Sequence, residues 1–276
     1  PEMELPKLCW LKRNLPEAWA RAARFWDLPD WLVHRATGSE ARSLCSPVCK
    51  WTYLGHRGEK EEGWDDDFLT AIGLEALAGT QHEKIGTRFL EPGAVAGRLD
   101  ESAERELGLA AGTPVAAGIL DAYAGALGTL SVSGGPADGR LAMIAGTSTC
   151  HICISPSPHF VPGVWGPYFS VLMPNMWANE GGQSAAGALI DAVIARHAAS
   201  HALQLDAQNE QKSIYSLLEE RLSALGEETT FLSRNRHVQP DFHGNRSPLA
   251  EPWGHGPRGR PSLAVRRAGP AVEFRG

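Results

Sequence analysis

The alternation of apolar and polar positions centres the chain on one stretch, Pro114 to Ser155. Val115 to Leu120 is a short apolar run opened by a proline, which predicts a buried strand. Asp121 follows at once, and Ala122 to Leu130 is built of small residues suited to a helix packed closely on a sheet. Beyond a polar break, Leu141 to Ser155 predicts two apolar strands folded about Gly146-Thr147-Ser148-Thr149. A carboxylate between the carboxyl end of a strand and the start of a helix is where open α/β folds place their chemistry.

The flanks add mostly helices. Pro1 to Gly38 predicts helix, reopened at Leu15-Pro16-Glu17 and at Leu28-Pro29-Asp30 and stopped by Gly38. Trp64-Asp65 caps a helix reaching Ile72, and Asp100 caps one over Glu101 to Leu107 that Gly108 closes. Ile85 to Gly97 has no period and predicts irregular chain with a turn at Pro92-Gly93. The aromatics from Phe160 to Trp177 predict a core cluster. Asn179 to Ala185 ends a strand and opens a helix to His197, with free N–H groups suited to an anion. Gln208 to Gly226 predicts one more helix, with Leu217, Leu218 and Leu222 at helical spacing.

Composition narrows the class. The 276 residues allow one or two domains, and 43% apolar with 21% charged residues is ordinary for a water-soluble protein. The net charge of −6 is uneven, because Glu251 to Gly276 carries +3 and leaves −9 on the rest. An acidic body argues against nucleic acid as the main partner. No apolar run is long enough for a membrane span, and no leader-like apolar segment opens the chain, so a cytoplasmic protein is expected. Five cysteines do not suggest a disulfide framework. Cys150 and Cys153 have CxxC spacing, but on a strand they face opposite sides; Cys45 and Cys49 share a helical face as buried thiols.

Individual residues leave two readings open. Asp121 is either a helix cap or a general base, and the Gly146 turn either a plain hairpin or a phosphate cradle of backbone donors. Lys50, beside Trp51, is either solvated or a donor to a ligand hydroxyl. Glu180 is either a cap for the helix that follows it or a ligand-binding carboxylate.

Together these stretches resemble the FGGY carbohydrate kinases. Gly118, Asp121, Ala122, Gly125 and Gly128 fit the family's Gly-x-x-Asp-Ala segment, and Gly146-Thr147-Ser148 its phosphate turn. Asp27 to Gly38 and the run into Lys50-Trp51 resemble its sugar-domain wording, and Asp241 to Leu249 its Gly-Asn-Arg-Ser-Pro-Leu loop. The Phe160 to Phe169 segment and Glu180-Gly-Gly-Gln-Ser point to the ribulokinase-like branch.

The resemblance implies an α/β, actin-like ATPase (ribonuclease H-like) fold of two domains that close over substrates, incomplete in this chain. Residues 1–133 would belong to the sugar domain and 138–250 to the nucleotide domain, with 251–276 a disordered tail foreign to the family. The implied activity is phosphoryl transfer from ATP, with Mg2+, to a hydroxyl of a ribulose-like keto-pentose. Asp121 would be catalytic base and sugar ligand, Lys50 and Glu180 would bind the sugar, and Gly146 and Thr147 the nucleotide phosphates. The family's opening phosphate hairpin and late adenine motif do not occur in these residues. The chain is therefore expected to be truncated at both ends and inactive alone, with a non-catalytic sugar- or partner-binding fragment as the alternative. Homo-oligomerisation is left open.

Overall fold

The computed structural model describes residues 3–57, 63–132, 137–226 and 240–251, with the backbone of Arg236–His237 and Arg266–Arg267. The N-terminal part contains α1 (Glu4–Asn14), α2 (Pro16–Arg21), α3 (Leu28–Thr37), β1 (Arg42–Ser43), α4 (Cys45–Lys50), α5 (Asp66–Ala71) and α6 (Glu75–Ala78). There follow β2 (Phe89–Leu90), β3 (Val95–Arg98), α7 (Glu101–Leu107), β4 (Pro114–Ala116) and α8 (Asp121–Ser131). The remainder holds β5 (Leu141–Ala145), β6 (Thr149–Ser155), β7 (Trp165–Phe169), β8 (Trp177–Gln183), α9 (Gly187–Arg196), α10 (Ser200–Asn209) and α11 (Ile214–Ser223). The chain forms two compact units, Pro1–Ile144 with Cys150–Gly181, and Ala145–Thr149 with Gly182–Gly276.

Local signals set several boundaries. The Asp65 side chain accepts from the N–H of Phe68 to open α5, and Asp100 accepts from Ala103 to open α7. Leucines and tryptophans from α1, α2, α5 and α6 make one core of the first unit, around Leu5, Leu8, Trp19, Trp64 and Leu69. A second core packs α4 and α8 on a four-stranded sheet of order β5-β6-β8-β7, around Cys49, Tyr123, Ala126, Ile152 and Ala178, and a smaller one joins α3 to β3 around Val33, Ala96 and Ala117. Gly125 permits the close approach of α8 to β5, since a Cβ there would meet the Ile144 side chain at 3.2 Å.

Several expectations are corrected. The strand expected over 115–120 is only β4, and Pro114 and Ala116 are exposed. Its antiparallel partner is β3, and a two-stranded ladder packed on α3 covers one face only. The irregular stretch 85–97 holds β2, paired parallel to β1, and β3. Residues 22–27 are not helical. The helix expected over 208–226 is two, broken where Gln211 takes φ 52° and restarted by Ser213, whose side chain accepts from Ser216 N–H. The aromatic run is only partly core: β7 is an edge strand with half-buried residues, of which Tyr168 packs on the core, and Phe160 is 81% exposed.

Arg266–Arg267 pairs antiparallel with Arg236–His237. Otherwise the expected tail, from 252 on, and the centre of the polar break, 133–136, lie outside the described residues. Among the described residues no helix is long and apolar enough to cross a membrane.

Candidate functional site

The first unit gathers three of the five singled-out residues about α4, α8 and β8. Lys50 closes α4, half-buried, and its Nζ lies 5.9 Å from the centroid of the Trp165 ring. Trp165 is the cross-strand register partner of Glu180. Glu180 sits inside β8, 4% exposed, and its Oε2 accepts from the Tyr123 hydroxyl at 3.2 Å. Tyr123 lies on α8, two residues beyond Asp121, and is 1% exposed.

Asp121 is the first residue of α8, where the helix N-terminus favours negative charge. It is exposed, and its Oδ1 accepts from the N–H of Ala122 at 2.8 Å. A solvent-facing carboxylate there can take a proton from a ligand hydroxyl.

Burial pushes the Tyr123 phenol well above its ordinary range, with the charge interactions of Cys49 and Glu180 adding to it. The Cys49 thiol is raised for the same first reason, and its neighbour Cys45 adds to that. Tyr123 therefore remains a hydroxyl donor toward Glu180 at neutral pH.

Glu180 is not a helix cap. The residue preceding α9 is Ala186, and α9 has no side-chain cap. Trp51 is core, with its indole N–H donating to Asp27 Oδ2 at 2.6 Å.

Gly146 and Thr147 belong to the second unit, in the turn between β5 and β6. The Gly146 N–H donates to the Ser148 carbonyl at 2.8 Å. The carbonyls of Thr147 and Gly146 accept at 2.9 Å from the N–H groups of Ala186 and Gly187 respectively. The start of α9 is thus tied to the turn, and its N–H groups are not free for an anion as expected. A Cβ at Gly187 would fall 2.6 Å from the Gly146 carbonyl oxygen, so only glycine fits that approach. Thr147 itself is exposed, which leaves the turn open to a ligand.

Other sequence features have structural roles. Asn245 organises its loop, donating to Asp241 Oδ1 at 3.1 Å and accepting from Leu249 N–H at 2.8 Å. Cys150 packs on the core, whereas Cys153 lines a separate cavity of about 480 Å³ with Leu141, His151 and Val161. Sequence reasoning missed Tyr123 and Trp165. The available signal for Tyr123 was a single large side chain with a polar tip in a helix of alanines and glycines.

The mixed helix-and-sheet fold is that of the actin-like sugar kinases on which it superposes. The ligand-bound xylulose kinase of Lactobacillus acidophilus superposes with a TM-score of 0.66 at 18% identity, covering 92% of this chain and 45% of that one. The gluconate kinase of the same organism gives 0.65 at 18%, again over 92% and 45%. Residues 1–128 match the N-terminal domain of the FGGY family of carbohydrate kinases and residues 141–254 its C-terminal domain. The chain belongs to that family.

Among curated relatives, the human FGGY carbohydrate kinase domain-containing protein is 50% identical over 263 residues, 91% of this chain and 47% of its own. The Danio rerio protein of the same name is 48% identical over 270 residues, 93% and 49%. A D-ribulokinase of Saccharomyces cerevisiae is 41% identical over 280 residues, 91% and 39%. The chain spans about half the length of the first two relatives.

Proposed function

We propose that the chain carries the sugar-binding wall and one phosphate turn of an ATP-dependent kinase that phosphorylates a hydroxyl of a ribulose-like keto-pentose. The observation that carries this is the convergence of Lys50 and Glu180 on Trp165, with Glu180 tied by Tyr123 to the helix that Asp121 opens. The 41% identity to a D-ribulokinase supports ribulose as the acceptor.

Each residue has a defined task. Lys50 donates to a sugar oxygen and Glu180 accepts from a sugar hydroxyl. Asp121 takes the proton of the attacking hydroxyl, a transfer that comes late when the transition state is loose. The exposed turn at Gly146 and Thr147 fits a phosphate through the Thr147 hydroxyl and backbone N–H, the Gly146 N–H being taken by the Ser148 carbonyl. Bound MgATP supplies the transferable phosphoryl group and neutralises its developing charge. Mg2+ would enter with the nucleotide, since it binds largely through phosphate oxygens and water. The five free thiols fit a reducing, cytoplasmic setting.

The 276 residues alone are proposed to bind the sugar without kinase-like turnover, because positioning and charge stabilisation carry phosphoryl transfer and this chain holds one wall and one turn. The test is calorimetric titration of ribulose, xylulose and gluconate into the chain, beside an ATP-dependent phosphorylation assay. Ribulose binding with turnover far below ~1 s⁻¹, the low end for ordinary enzymes, is expected. Absence of any sugar binding overturns the reading of the wall, and rapid turnover overturns the claim of inactivity.

A further inference from the structure

Tyr123 is buried in the core at 1% exposure, and its hydroxyl is the one polar atom its ring carries there. A buried phenol O–H must find an acceptor, and the acceptor here is Glu180 Oε2 at 3.2 Å. The need is mutual, because a buried carboxylate is costly without donors and a hydrogen bond to it is charge-assisted.

The contacts continue behind the ring. Cys49, buried on α4, belongs to the same core cluster as Tyr123. Cys45, one turn earlier and also buried, accepts the N–H of Leu120 at 3.5 Å. Leu120 directly precedes Asp121, and Cys49 directly precedes Lys50. The core that holds Tyr123 therefore includes the residue before Lys50 and, through the Cys45 contact, the residue before Asp121.

We propose that Tyr123 is a positioning residue, holding the Glu180 carboxylate. The sugar-binding reading gives this link its purpose, but the link itself can be tested without any sugar.

The test uses the 276-residue chain labelled with carbon-13 at tyrosine Cζ, which gives one resonance for each of the four tyrosines. The Tyr123 signal is identified by its loss in Tyr123→Phe. Glu180→Gln should move one tyrosine resonance, that of Tyr123, while the exposed control Glu75→Gln should move none. Four unmoved resonances in Glu180→Gln overturn the proposal, whether or not Tyr123→Phe folds.

A second arm measures ribulose affinity in a double-mutant cycle. Tyr123→Phe should weaken binding roughly threefold to tenfold, the scale of one lost hydrogen bond. It should cause no further loss in a Glu180→Gln background. Additive losses would make Tyr123 a mere core residue and overturn the proposal. If the unmodified chain binds no ribulose, the sugar reading fails and the resonance arm alone decides the link.

Discussion

Two buried polar clusters lie in the first unit. One is the Tyr123–Glu180 hydrogen bond beside the buried thiols Cys45 and Cys49. The other joins Asp27, Asp30 and Arg42 with the rings of Trp26 and Trp51. In the second, the Arg42 guanidinium carbon sits 4.2 Å from the Trp26 centroid and 6.0 Å from that of Trp51. Asp30 accepts the N–H of Ser43 at 2.9 Å. Asp30 and Arg42 are 1% and 2% exposed, and Asp30 Oδ2 and Arg42 Nε have no hydrogen-bond partner.

Their electrostatics differ as well. Burial pushes Asp30 up to about 6 and Arg42 down to about 10, each toward its neutral form. That cluster is closed, and its charges are retained at a cost in stability. The first cluster borders the exposed Asp121 and the half-buried Lys50. Buried polarity alone does not mark a site; what separates the two clusters is that the first borders accessible polar side chains. Substitutions in the first cluster should therefore change binding and chemistry, and those in the second should change stability.

The largest effect belongs to Asp121. In a chain extended to the length of its relatives, Asp121→Asn should fold normally and lose about 10²–10⁴ in turnover, the range for a general base. Steady-state kinetics with circular dichroism checks this, and retained turnover would remove Asp121 from that role.

Next comes Arg42→Ala. Removing one partner of a buried charge pair leaves the other uncompensated, at a cost of about 3–5 kcal/mol. Urea denaturation should show that loss at neutral pH. A change below ~1 kcal/mol, the scale of an exposed ion pair, would mean that the cluster is more solvated than its burial indicates.

A smaller effect follows from pH. The folded pKa of Asp30 is raised above its ordinary value, so between about pH 4 and pH 6 the folded state binds the proton more tightly than the unfolded one. The stabilisation is fully present below the unfolded pKa and is lost as pH rises through the folded one. A shift of about two units corresponds to at most ~3 kcal/mol. The stability difference between the unmodified chain and Asp30→Asn, followed by urea denaturation, should change by this amount across that window and stay flat above it. A constant difference would contradict the assignment.

Features governed by neighbours in sequence were legible before the fold was known. The cap at Asp100, the stop at Gly108, the buried thiols of α4 and the turn between β5 and β6 all follow from residues within a few positions of one another. Elements that depend on distant partners were not. The two residues of β2 are a strand only because β1 lies beside them. The half-burial of the β7 aromatics Trp165, Tyr168 and Phe169 depends on β7 being an edge. The break between α10 and α11 turned on the Ser213 cap, a local signal outweighed by the leucine period.

The site divides along the same line. Asp121, Lys50 and Glu180 were legible as motif positions. Tyr123 was not singled out, because helical periodicity places it in the core, where it does lie, and says nothing of what its hydroxyl meets. Trp165 was read as one core aromatic among several, and only the strand register sets it opposite Glu180.

The most direct measurement is the ribulose affinity of the 276-residue chain by calorimetry, compared with Glu180→Ala and Lys50→Ala. Each lost contact is a hydrogen bond to a charged group, worth about 1.5–3 kcal/mol, so each variant should bind at least roughly tenfold more weakly. Unchanged affinity in both variants, or no ribulose binding by the unmodified chain, would contradict the assignment of this wall to the sugar.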